Sequence, residues 1–335
     1  MKIDIYTNVV PEKLQKRLGE VNPDLANRIT RMPTIYDMDQ RFRIMDQNED
    51  VRQVLTVSLT AALIMEDPQW ALEFAQLAND EVAELIRKYP DRFAAGVASL
   101  PMTDVDAAVK ELDRAINDLK LKGLQLMTPT HNKPLDSPEF LPFFEKMHEY
   151  DLPIWIHPKR PITQADYNSL SESKYYLYHV FGWPYETTAA MTHLVFGGVL
   201  ERFPGIKIIT HHCGAMVPFF DQRIESAYSA SVTIHNEHYA EKLTRLPEEY
   251  FKMFYADTAL GGSTPGLMCG YAFFGPDHML FGTDMPFDIE FGAKTVRKTI
   301  QSVDQMTIPD SEKEMIYEDN AKRILKLQQS RPRCK

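Results

Sequence analysis

The stretch Leu152-Pro153-Ile154-Trp155-Ile156-His157-Pro158 decides how the chain is read. Its centre is a continuous apolar run rather than an alternating one, the pattern of a parallel strand covered on both faces. It ends in a histidine directly before a proline. Seven more short runs of this general kind fall at residues 3–6, 54–59, 94–100, 123–127, 207–212, 254–258 and 279–283. Longer stretches with helical spacing fill the gaps between them. Residues 68–89 set Leu72, Ala75, Leu77, Val82, Leu85 and Ile86 along one stripe. Residues 104–119 repeat Val105, Ala108, Val109, Leu112, Ile116 and Leu119 behind a Thr103 or Asp104 cap. Residues 137–150, 187–203, 217–229 and 292–306 behave alike.

Eight strand–helix units in one chain predict an α/β fold, a closed (β/α)8 TIM barrel. Residues 9–52 read as an insertion after strand 1. Residues 159–185, rich in Tyr and Ser, read as a lid-like insertion after strand 5. An open doubly wound sheet is the rival, but it would use fewer strands or show a domain break. No Ser/Gly linker or low-complexity tract marks one. The expected organisation is a single domain over residues 1–330 with a tail at 331–335.

Composition narrows the partners. At 335 residues with 44% hydrophobic and 25% charged residues, the chain is neither disordered, collagenous nor a disulfide miniprotein. Its formal net charge of −10 predicts no nucleic-acid or anionic-membrane partner. Cys213, Cys269 and Cys334 form no CxxC pair, and an odd count argues against a disulfide framework. The opening Met1-Lys2-Ile3-Asp4-Ile5-Tyr6 carries an acid where a signal peptide is apolar. No window reaches the ~18 apolar residues of a membrane span. The expected setting is soluble, reducing and cytoplasmic.

In a barrel, chemistry sits at the carboxyl ends of the strands. Those ends carry Tyr6, Asn8, Gln125, His157, His211, His212, Asp257 and Asp284. Histidines and carboxylates on one face can hold a divalent metal or divide acid and base roles. Strand alternation puts His211 on the side opposite His212. The remaining histidines read as packing or solvated residues, with His131 and His179 as candidates for the pocket mouth.

Several motifs in order make the chain recognisable. They are Ile3-Asp4, Arg41-Phe42-Arg43-Ile44-Met45-Asp46, Leu135-Asp136-Ser137-Pro138-Glu139-Phe140 and the His157 stretch. Then come His212-Cys213-Gly214-Ala215-Met216-Val217-Pro218-Phe219, with Arg223 eleven residues after His212, and Leu280-Phe281-Gly282-Thr283-Asp284-Met285-Pro286-Phe287. Over nearly its whole length the chain resembles the amidohydrolase superfamily. The similar branch holds aminocarboxymuconate semialdehyde decarboxylase and the hydroxybenzoate decarboxylases.

The resemblance implies a barrel with one catalytic metal, Zn or Mn, bound by His157 and Asp284. It implies His212 as acid/base, Asp284 as proton carrier, and Arg41 and Arg223 as grips on a small carboxylate substrate. Arg223 would reach into a neighbouring subunit, which predicts a homodimer. The family's first strand ends in His-x-His or Glu-x-His, whereas this chain has Tyr6-Thr7-Asn8. A protonated Tyr6 is a poor ligand and is assigned to the substrate side. Asn8 offers a neutral oxygen suited to a harder cation, so the expected metal is weakly held, harder, or absent. Trp183, with Tyr167 and Tyr185, is expected to pack on the substrate ring. The leading expectation is a metal-dependent non-oxidative decarboxylase of a hydroxylated aromatic or unsaturated acid. The alternatives are a hydrolase or lactonase working with weak or no metal, and a non-catalytic binding barrel.

Overall fold

The computed structural model describes residues 1–327, so the expected tail at 331–335 and Cys334 lie outside the described residues. Eight parallel strands follow one another: β1 Lys2–Val9, β2 Val51–Val57, β3 Phe93–Gly96, β4 Leu124–Thr128, β5 Ile154–Pro158, β6 Ile208–Thr210, β7 Tyr255–Asp257 and β8 Met279–Leu280. Each of the eight apolar runs yields a strand. β1, β2 and β3 form one sheet, and β4 through β8 form another. Backbone bonds join the two at both edges. On one side Ala98 N–H donates to Gly123 O (2.8 Å) and Gln125 N–H to Ala98 O (2.9 Å). On the other, Ile5 N–H donates to Phe281 O (2.9 Å) and Asp284 N–H to Tyr6 O (3.0 Å). The eight strands therefore close into a ring, and the fold is a (β/α)8 barrel.

Inside the ring pack Ile3, Ile5, Val54, Val97, Trp155, Ile209 and Leu280, closed below by Ala321, Ile324 and Leu325. Trp155 is the largest wholly buried side chain, and its indole N–H donates to Ile5 O at 3.0 Å. Gly123 makes room for it, since a Cβ there would stand 2.2 Å from the Trp155 ring. Helices Ala71–Lys88, Val105–Asn117, Leu141–Tyr150, Gly182–Phe196, Thr264–Phe274 and Ala293–Asp304 cover the outside.

The stretch after β1 is more ordered than its scattered apolar residues predict. It forms helices Glu12–Val21, Pro23–Thr30 and Met38–Met45. Each is short and buries only a few side chains, such as Leu14, Leu18, Leu25 and Ile29, so no long stripe shows in the sequence. After β5, the expected lid contains the turn Leu177–Val180 and the first residues of the helix beginning at Gly182. Consecutive Tyr175 and Tyr176 hold left-handed φ of 54° and 62°, an uncommon conformation for aromatic residues. No helix among the described residues is long and apolar enough to cross a membrane.

Candidate active site

Each strand end delivers a side chain to one place, and the backbone just beyond it aims that side chain. β8 continues into Thr283 and Asp284, and Asp284 sits at φ 60°. That turn is pinned by the wholly buried Asp4, which accepts Thr283 N–H at 2.9 Å and the Thr283 hydroxyl at 2.5 Å. Burial pushes the Asp4 carboxyl up to about 7 despite these bonds and nearby Arg41. Asn8 donates its amide to Asp284 Oδ1 (2.8 Å) and Met285 O (3.1 Å).

β6 ends at Thr210, two residues earlier than the sequence suggests. Beyond it His212, Cys213, Gly214 and Ala215 take φ of 56°, 54°, 73° and 55°. This left-handed turn breaks strand alternation, so His211 and His212 both enter the site, their rings 3.9 Å apart. The expectation that His211 faces away is corrected on that ground. His211 is wholly buried; its Nδ1 pairs with Asp257 Oδ2, and its Nε2 lies 3.5 Å from Asp284 Oδ2. Tyr6 stacks on its face at 4.1 Å, with its hydroxyl 3.5 Å from Gln125. His157, at the end of β5, lies 5.3 Å from the His211 ring and 5.4 Å from Trp183. His179 in turn lies over Trp183 at 4.1 Å.

Charge and burial divide these groups. Burial lowers His157 and His212 to about 3, with cationic His211 adding to the effect. Burial alone would lower His211 too, but Asp257 and Asp284 outweigh it and raise it to about 10. Burial would raise Asp284, but His211 together with His212 and His157 outweighs it and holds the carboxyl at about 2. At neutral pH the site therefore holds an ionised Asp284, a cationic His211 and two neutral imidazoles.

His157 Nδ1, His211 Nε2, His212 Nδ1 and the Trp183 indole nitrogen are four of ten buried side-chain atoms without a hydrogen-bond partner among the described residues. Buried polar atoms are normally satisfied, so four on rings whose neighbouring centroids stand 3.9, 5.3 and 5.4 Å apart mark a place for a ligand. Ligand atoms of His211, His212 and Asp284 all lie within 4.8 Å of one another. Two imidazoles and a carboxylate fit a divalent cation of the Mn, Fe or Zn kind.

The structure brings together Tyr6, Asn8, His157, Trp183, His212 and Asp284. It places the two arginines elsewhere. Arg41 is wholly buried, with Nε on Gln53 (2.8 Å) and Nη1 on Asn8 O (2.7 Å), so it holds the end of β1. Arg223 is exposed on the helix Asp221–His235 and forms no ion pair among the described residues. Tyr167 and Tyr185 are exposed as well. The sequence reading placed His211 and Asp257 at strand ends but turned His211 away from the site and gave Asp257 no role; the doubled histidine before a glycine-containing turn was the available signal.

A parallel barrel that gathers imidazoles and carboxylates over its strand ends is a scaffold for metal-assisted enzyme chemistry. The chain belongs to the amidohydrolase family, whose model matches residues 11–327. It is 29% identical over 329 residues to the gamma-resorcylate decarboxylase of Rhizobium radiobacter, covering 95% of each chain. It is 29% identical to the 2-amino-3-carboxymuconate-6-semialdehyde decarboxylase of Dictyostelium discoideum, covering 98% of this chain and 92% of that one. Among solved structures, a dihydroxybenzoic acid decarboxylase from Polaromonas with bound manganese and 2-nitroresorcinol superposes with a TM-score of 0.77. That match has 25% identity and covers 98% of both chains.

Proposed function

We propose that this chain is a metal-dependent, non-oxidative decarboxylase of a small hydroxylated aromatic or unsaturated carboxylic acid. The observation carrying the reading is the convergence of His211, His212 and Asp284, whose ligand atoms lie within 4.8 Å of one another beside unpartnered imidazole nitrogens. The similar gamma-resorcylate and 2-amino-3-carboxymuconate-6-semialdehyde decarboxylases support the substrate class.

His211, His212 and Asp284 would hold the cation, with His157 beside them. When bound, the metal supplies positive charge opposite the substrate carboxylate and its neighbouring hydroxyl. Loss of carbon dioxide breaks a carbon–carbon bond and leaves the electron pair on carbon, so a proton must arrive there. Asp284 is ionised and enters as a base: Oδ2 takes the proton of the substrate hydroxyl beside the carboxylate and delivers it to that carbon as carbon dioxide leaves, the hydroxyl being reprotonated from solvent. Asn8, fixed on Oδ1, keeps Oδ2 aimed inward. His212 offers a neutral Nδ1 at the same space and serves as the second proton carrier. Trp183, 5.4 Å from His157 and with an unpartnered indole N–H, would donate to the substrate carboxylate. Arg41 acts on the substrate only by fixing Asn8. Manganese or zinc, a homodimer in which Arg223 serves the neighbouring site, and a cytoplasmic setting complete the reading.

The test is carbon dioxide release from 2,6-dihydroxybenzoate and related ortho-hydroxybenzoates with added Mn²⁺. The expected result is turnover that Asp284→Asn lowers by ~10²–10⁴-fold. Lactone hydrolysis without any carbon dioxide release from these acids would replace this reading with the hydrolase one.

A further inference from the structure

Asp257 and His211 are both wholly buried, and their bonding is one-sided. Asp257 uses Oδ2 for His211 Nδ1. It uses Oδ1 for the Cys213 N–H (3.0 Å) and the Ala259 N–H (3.1 Å). A carboxylate that already accepts two backbone donors has only acceptor capacity left for the imidazole. His211 Nδ1 must therefore keep its proton, and Nε2 is the nitrogen that can give its proton up and take a metal instead. That Nε2 is buried, has no hydrogen-bond partner, and shares its space with Asp284 and His212. On the first strand the expected pair of ligands is replaced by groups that orient others. Tyr6 covers the flat face of His211, and the Asn8 amide nitrogen is engaged by Asp284 and Met285 O.

We propose that Asp257 is a positioning residue that fixes His211 with its proton on Nδ1, so that His211 Nε2 is a metal ligand. β6 and β7 thereby supply the ligand that Tyr6-Thr7-Asn8 lacks. This rests on the reading of the site as a divalent-metal centre, not on which reaction it performs. When a cation arrives, any proton on Nε2 leaves to solvent, while Nδ1 keeps its own against Asp257. The left-handed turn from His212 to Ala215 belongs to the same device, because the Cys213 N–H that Asp257 holds lies within it.

The experiment needs no substrate. In ¹⁵N-histidine-labelled protein titrated with Zn²⁺ at fixed pH, His211 Nε2 is expected to take the shift of a metal-bound nitrogen while Nδ1 stays protonated. Calorimetric titration with Zn²⁺ and Mn²⁺ then compares two variants. His211→Asn keeps an amide donor for Asp257 but lacks Nε2, and is expected to lose more than 100-fold in affinity with Tm held close to wild type. Asp257→Asn turns an N–H toward Nδ1 and is expected to lose ~10–100-fold. A merely structural Asp257 would lower Tm without altering the nitrogen pattern, which would overturn the proposal. So would wild-type affinity in His211→Asn, or a His211 Nε2 that zinc does not shift. Should Asp257→Asn fail to fold, the wild-type spectrum and His211→Asn still decide. Carbon dioxide release alongside unchanged metal affinity in His211→Asn would sink this proposal and leave the decarboxylase reading standing.

Discussion

Asp4 shows how one side chain links the fold to the site. It lies behind the strand ends, yet through Thr283 it fixes the turn that carries Asp284. Its carboxyl is raised by burial from 3.8 to about 7, so the folded state prefers it protonated. The stability this group contributes is fully present below pH ~4 and is lost as pH rises toward 7, where the folded protein must bury a charge. A shift of three units corresponds to at most about 4 kcal/mol. Asp4→Asn keeps an acceptor for the Thr283 N–H and removes the titration. Urea midpoints measured from pH 4.5 to 7.5 are expected to fall less steeply for the variant than for wild type. Parallel curves would show that Asp4 is already paired well enough to stay ionised. The role of Asp4 was invisible in the sequence, because its partner Thr283 lies at the far end of the chain and meets it only when the barrel closes. Of the three aromatics expected on the substrate ring, Trp183 lies beside His157 while Tyr167 and Tyr185 are exposed, a difference the sequence of this segment does not show.

Among the elements, what the sequence shows and hides follows from period. All eight strands were legible because a strand covered on both faces must be apolar at successive positions, as in Ile154-Trp155-Ile156. His157 follows such a run directly and lands where strand geometry puts it. His211 does not, because β6 gives way to a left-handed turn and alternation no longer applies. The helices between β1 and β2 escaped notice for a different reason: eight to ten residues show too few turns for a stripe to stand out. The turn after β6 makes a stability test of its own. Gly214 sits at φ 73°, and a Cβ there would come within 2.5 Å of the Phe274 ring. Gly214→Ala combines backbone strain with overpacking and is expected to cost about 2–4 kcal/mol in unfolding free energy. The same variant should weaken metal binding, since His211 and His212 ride on this turn. A loss below 0.5 kcal/mol would mean that the turn relaxes freely and does not aim the histidines.

Over the whole molecule, the segments after β5, β6 and β8 expose large apolar side chains. Phe219, Val232 and Ile234 follow β6 and are 75%, 44% and 69% exposed. Tyr175 and Phe181, after β5, are 91% and 62% exposed, and Ile289, after β8, is 83% exposed. These segments begin at the carboxyl ends of their strands, the end at which the site is built. The fifteen-residue helix Asp221–His235 has no fully buried side chain, which is rare for a helix with nothing to cover. Exposed apolar residues on a helix that buries none of its own side chains point to a contact surface. A second copy of the chain is the expected occupant, because an isologous two-fold contact pairs such a helix with itself. It would also bring Arg223, exposed and without an ion pair among the described residues, toward the neighbouring site. A guanidinium fork suits a carboxylate there. Sedimentation at micromolar concentration is expected to give a dimer, and Ile234→Asp should convert it to monomer. If Arg223 serves the neighbouring site, that monomer and Arg223→Ala should both lose affinity for the carboxylate substrate while keeping their metal. A wild-type monomer would contradict the interface, and a fully active monomeric variant would remove Arg223 from the reaction.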